Sequence, residues 1–177
     1  MTGAVDTIDA LVAGLRANSC TVHGPVGVDE ARALIVARAS GLVACNADVP
    51  VPGLVDALLA HGLEVLDPGD PSWSERLPDV SVGITGARLA VADPPAIALV
   101  AAPGSPRATS LLPPEHVCVL RAGDVVATLT DAMTGIAAGD LPSALTWIGG
   151  PSRTGDLEML TTLGVHGPRA VEVVLLA

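Results

Sequence analysis

The chain has 177 residues, half of them hydrophobic, and a net charge of -10 from 19 acidic and 9 basic residues. That length supports one α/β-sized domain, residues 1–177, with no need for covalent staples. The acidic balance excludes a nucleic-acid surface and an anionic membrane face, both of which need basic footprints, but it still allows a small anionic ligand held by local charge.

In chain order, residues 7–18 show helical periodicity, with Ile8, Leu11, Val12 and Leu15 on one face. A short strand near residues 20–23 follows, and Gly24-Pro25 turns the chain. Residues 29–40 read as a helix with Ala33, Leu34, Ala37 and Arg38 in register, ended by Gly41. Residues 42–45 form a buried strand, 52–60 a helix closed by His61-Gly62, and 64–66 another strand. This alternation is the pattern of a parallel sheet covered by helices. Prolines and a glycine make residues 67–79 a loop, with a helical turn at 73–77.

Residues 80–100 break the rhythm. They read as short strands interrupted by Gly83, Gly86 and Pro94-Pro95, with 89–92 pairing 97–100 in a hairpin. Such an insertion marks a place where a sheet changes direction, which is where ligands tend to sit. Residues 115–120 are a buried strand. Residues 125–138 read as a helix with Leu129, Ala132, Met133 and Ile136 on one face.

The last stretch reads as a buried strand at 145–148, then the loop Gly149-Gly150-Pro151-Ser152-Arg153-Thr154. A short helix follows, with Asp156 and Glu158 in its first turn and an end near Gly164. After the turn Val165-His166-Gly167-Pro168 comes a final strand, 170–176. Strand, glycine loop and helix N-terminus together can bind an anion through free N–H groups and the helix dipole. In that reading Gly149, Gly150, Ser152, Arg153 and Thr154 hold a carboxylate or phosphate. The alternative is that Ser152 or Thr154 caps a helix whose dipole Asp156 and Glu158 complement. The loop has neither the lysine of a phosphate-binding Walker loop nor the G-x-G-x-x-G spacing.

The core must come from Val, Leu, Ile and Ala, since there is no Phe or Tyr and Trp73 and Trp147 are the only large rings. Cys20, Cys45 and Cys118 lie far apart in apolar runs and read as buried free thiols of a reducing compartment. No spacing suits a structural zinc or an iron–sulfur cluster, so no metal is expected. The start M-T-G-A-V-D-T-I-D lacks a basic leader, and the apolar run at 89–102 is broken by Asp93-Pro94-Pro95. No membrane insertion is expected, and the expected location is the cytoplasm.

Three motifs carry a resemblance. G-P-S-R-T-G-D-L-E with L-G-V-H-G-P-R, within residues 150–169, resembles the C-terminal signature of the LUD-domain family, the lactate utilisation protein C group. G-I-T-G-A at 83–87 and L-L-P-P-E-H-V at 111–117 resemble the same family in the same order. The match spans about residues 81–176; the N-terminal part matches only in its alternation. The resemblance implies a fold like the NagB, ribose-5-phosphate isomerase and CoA-transferase group: a parallel-rich sheet flanked by helices, with a small extra β insertion near the ligand cleft. It also implies a role in bacterial L-lactate oxidation to pyruvate by a three-protein set. Two of those partners carry iron–sulfur clusters, and this chain would be the third, binding no cofactor itself. Where the family runs Glu-Thr-Gly-Thr, this chain has Asp93-Pro94-Pro95-Ala96, a shorter acid and a stiff turn lacking a donor. That change counts against an acyl-enzyme mechanism of the CoA-transferase type.

The expected ligand cleft thus comprises Thr85, Gly86, Gly150, Ser152, Arg153, Thr154 and His166. Asp93, His166 and Glu158 are the candidates for acid, base or nucleophile. Each has a plainer alternative: His166 fixing a turn, Asp93 forming one, Gly86 allowing a bulge. Arg107 reads as a solvated loop residue and His116 as structural. Two other classes stay open: an isomerase or acyl transferase of the same fold group, and a degenerate ligand sensor or scaffold.

Overall fold

A computed structural model of the chain describes residues 2–139, 142–155, 161–163 and 166–177. Its elements begin with α1 (Thr2–Ala17), β1 (Thr21–Val26), α2 (Val28–Arg38), β2 (Leu42–Cys45), α3 (Leu54–Ala60) and β3 (Glu64–Leu66). The middle of the chain holds α4 (Trp73–Arg76), β4 (Val82–Gly86), β5 (Leu89–Asp93), β6 (Ala96–Val100) and β7 (Glu115–Arg121). The remainder is β8 (Val125–Thr128), α5 (Leu129–Ala137), β9 (Leu145–Ile148), β10 (Arg153–Gly155), β11 (Thr161–Leu163) and β12 (Ala170–Leu176).

Six strands form one parallel sheet in the order β1-β12-β7-β4-β2-β3. Alternate side chains of its central strands point to opposite faces, as strand geometry requires. On β7, Val117 and Val119 pack with Ile35 of α2 and with Leu54 and Leu58 of α3. Cys118 and Leu120 face the other way and pack with Leu11 and Leu15 of α1 and with Ala90 and Ile97. The second face is therefore covered by α1 and by a smaller sheet, β8-β5-β6-β9. The two-sided burial explains why these strands read as unbroken apolar runs.

The α/β expectation, the β5–β6 hairpin and the three buried free thiols all hold. Several local expectations change. Gly24-Pro25 lies inside β1 as a bulge, not beyond it as a turn. Helix α2 buries Ala31 and Ile35 and leaves Ala33 and Ala37 exposed. The helix expected from residue 125 starts at Leu129, because Thr128 and Asp131 form a capping box there and Val125–Thr128 joins β5 as an edge strand. Of its expected apolar face only Ala132 and Ile136 are buried; Leu129 and Met133 are exposed. The strand at 145–148 is half-buried throughout and sits at the edge of the smaller sheet, antiparallel to β6. Among the described residues no helix is long and apolar enough to cross a membrane.

Burial decides the chemistry of the thiols. It pushes Cys20 up to about 11 and Cys45 and Cys118 up to about 12, far from the thiolate range at neutral pH. A disulfide-exchange reagent at pH 8 should therefore label none of the three in the folded protein and all three in denaturant. Rapid labelling of even one before unfolding would show that its strand opens locally.

Candidate functional site

The loop after β9 is a packed crossing of three segments. Ser152 donates its backbone N–H to Pro168 O at 2.9 Å, tying residues 149–152 to the turn at 166–168. A side chain at Gly150 would stand 2.6 Å from Asn18 O, so the loop lies directly on the α1–β1 connection. Arg153 secures the same junction, donating from Nη2 to Asn18 O at 3.0 Å and to Ser19 Oγ at 2.6 Å. The glycines thus serve close backbone approach, one of the two roles that a glycine-rich loop offers.

The helix expected from residue 156 to near residue 164 is overturned at its end. Thr161–Leu163 is a strand, paired antiparallel with Arg153–Gly155, so these backbone groups bond across a hairpin instead of along a helix. Residues 156–160, with Asp156 and Glu158, and residues 164–165 lie outside the described residues, as does the side chain of Thr154.

Beneath the loop lies a cavity of about 180 Å³ between the two sheets. Gly149, Gly150, Ser152 and His166 line one side of it, and Ser110 and His116 line another. Three expected site residues, Gly150, Ser152 and His166, are therefore brought together. Arg153 is not among the lining residues; its guanidinium is spent on Asn18 and Ser19. Asp93 is exposed at the end of β5 and is not among the cavity-lining residues, and in the turn that follows Pro95 packs against α1 at Gly14. Gly86 does not line this cavity but, with Thr85, lines the narrow space adjoining it, its N–H donating to Asp48 Oδ1 at 3.1 Å.

His116 is the residue that the sequence reading set aside. It is fully buried on β7, and Thr85 Oγ1 lies 2.8 Å from its Nε2. Its Nδ1 has no hydrogen-bond partner among the described residues. Burial alone pulls its pKa down to about 4, so the ring is neutral at pH 7. Thr85, an expected ligand residue, thus reaches the cavity through His116. The clue in the sequence was a histidine at an inward position of the strand E-H-V-C-V-L.

The cavity continues past Ser110 and Thr146 into a polar neck of about 10 Å³, lined also by Asn46, Thr85 and Arg107. Beyond it, sharing Asp48 and Ser105, lies a crevice of about 240 Å³ at the carboxyl ends of β4 and β7. Burial of the Asp48 carboxyl raises its pKa, against the opposing pull of hydrogen bonds from Gly86 and Ser105.

A doubly covered parallel sheet with an appended smaller sheet defines an α/β class of fold. The chain belongs to the LUD domain family, whose match runs over residues 8–176. The match takes in the N-terminal third, legible in the sequence only as alternation. Among curated proteins the chain is 33% identical over 131 residues to "Lactate utilization protein C" of Deinococcus radiodurans, covering 73% of this chain and 59% of that one. It is 33% identical to the protein of the same name from Shouchella clausii, covering 66% of this chain and 53% of the relative. For that of an Exiguobacterium strain the identity is 34%, over 58% and 50% respectively. The chain spans about half the length of the curated relatives that it matches. A crystal structure of a DUF162 family protein from Deinococcus radiodurans superposes with a TM-score of 0.75 over 98% of each chain, at 23% identity.

Proposed function

We propose that this chain serves bacterial L-lactate utilisation as an accessory protein to the oxidation of lactate to pyruvate. In this reading two iron–sulfur proteins carry the electrons, and the present chain holds no cofactor. The observation that supports it is the family membership together with the names of the relatives. We place a small acid in the cavity beneath the glycine loop. Ser110, Ser152 and His166 supply hydrogen-bonding groups there, and the neutral His116 ring supplies one more. No Arg, Lys, Asp or Glu lines this cavity among the described residues, so binding would rest on hydrogen bonds more than on charge.

The test is lactate-dependent dye reduction in a strain lacking this chain. Wild type should restore it, and the double variant Ser152→Ala, His166→Ala should not, although it expresses and melts normally. Restoration by both would keep the lactate role and move the ligand elsewhere. Failure of wild type at normal expression would end the lactate role and favour a sensor or scaffold.

A further inference from the structure

All nine basic residues are arginines. Arg16, Arg32, Arg38, Arg76 and Arg153 are committed to backbone oxygens, carboxylates or, for Arg153, also Ser19. The guanidinium groups of Arg88 and Arg121 make no hydrogen bond or ion pair among the described residues, yet both residues line the crevice at the carboxyl ends of β4 and β7. Their convergence has a backbone cause. Gly86, the last residue of β4, lies opposite Val119 of β7, and Arg88 follows in the connection to β5 while Arg121 ends β7, so both emerge at this end of the sheet. The sheet order adds a second reason to look here. From β2 the chain moves outward to β3 and then returns to the other side of β2 as β4. Ligands of open α/β sheets bind outside the carboxyl ends of strands at such a reversal.

We propose that this crevice is a second ligand site, taking a small carboxylic acid that also carries a hydroxyl. The two guanidinium groups suit a carboxylate, which each can grip through paired N–H donors. Asp48 and Asp124 line the same crevice, so its formal charge is balanced, with two arginines against two aspartates. A phosphate dianion would meet both aspartates as like charges. A monoanion with a hydroxyl places its carboxylate on the arginines and donates a hydrogen bond from its hydroxyl to an aspartate oxygen. Ser105 stands beside Asp48 to complete that contact. The site is additional to the cavity beneath the glycine loop and rests on the same small-acid reading, and its residues are disjoint from Ser110, Ser152, His116 and His166.

Binding to the intact protein should be followed by calorimetry with L-lactate, glycolate, propionate and inorganic phosphate as separate probes. L-Lactate and glycolate should bind, with propionate and phosphate each weaker by about tenfold or more for want of the hydroxyl or because of repulsion. Arg88→Gln and Arg121→Gln should each weaken the hydroxy acids about tenfold or more, since both side chains are exposed and expendable to folding. Arg76→Gln, whose guanidinium pairs with Glu64 away from the crevice, should leave this affinity unchanged. Equal binding of propionate or tighter binding of phosphate would overturn the ligand class. No binding, or affinity untouched by both arginine changes, would overturn the site, whatever the dye-reduction result.

Discussion

Replacing Gly83 by alanine will destabilise the protein severely. Gly83 lies in the middle of β4, where a Cβ would stand 1.9 Å from Thr109 O and 3.1 Å from a ring carbon of Pro113. The first contact is backbone, and Thr109 is itself fixed: it is fully buried, and its hydroxyl donates to Asn46 Oδ1 at 2.6 Å. Neither strand nor turn can yield without breaking parallel-sheet pairing to β2 and β7. We expect a loss of about 3 kcal/mol or more, the upper range for overpacking, and a melting temperature lower by roughly 10 °C. Gly135→Ala is the matched control. Nothing lies within 4 Å of a Cβ there and the residue sits within α5, so alanine should stabilise by up to about 1 kcal/mol. If Gly83→Ala melts within a degree of wild type, the close approach of residue 109 to β4 is wrong.

Acid will weaken the fold through His116. Its folded pKa, about 4, lies below the ordinary value of 6.5, so between these limits the unfolded chain binds the proton that the folded chain refuses. Its contribution is thus fully present above pH 6.5 and is lost as pH falls toward 4. The linkage is worth roughly 2 to 3 kcal/mol between pH 7.5 and pH 4.5. Denaturant melts across that range should show wild type losing this much more than His116→Gln, which cannot titrate. Asp48 acts with the opposite sign: its raised pKa makes the charged form costly when folded, and that cost disappears as the carboxyl protonates. Because Asp48 is common to both proteins, the difference between them isolates His116. Parallel acid slopes would mean that His116 takes up its proton without resistance, and the neutral ring assigned to the cavity wall would fall with it.

What could be read from the chain was what period and punctuation encode. Inward Val, Cys and Leu in β7, the helical face of α1 and the Pro94-Pro95 hairpin are local patterns, and they came through in the fold. The end of the expected helix near residue 164 failed because Arg153–Gly155 and Thr161–Leu163 are short segments whose pairing outweighed local preference. The glycine loop was legible as a site. What its arginine does was not, because Arg153 meets partners 134 and 135 positions away.

By itself the sequence determined the α/β class, the buried thiols and, through three motifs, the family. Only the tertiary structure decided which polar groups meet. Sheet order places β4 beside β7, and with it Thr85 against His116 and Arg88 in one crevice with Arg121. Such neighbours are set by strand register and by which face each strand turns inward. Those depend on packing across the whole core, and no short window of residues carries that information.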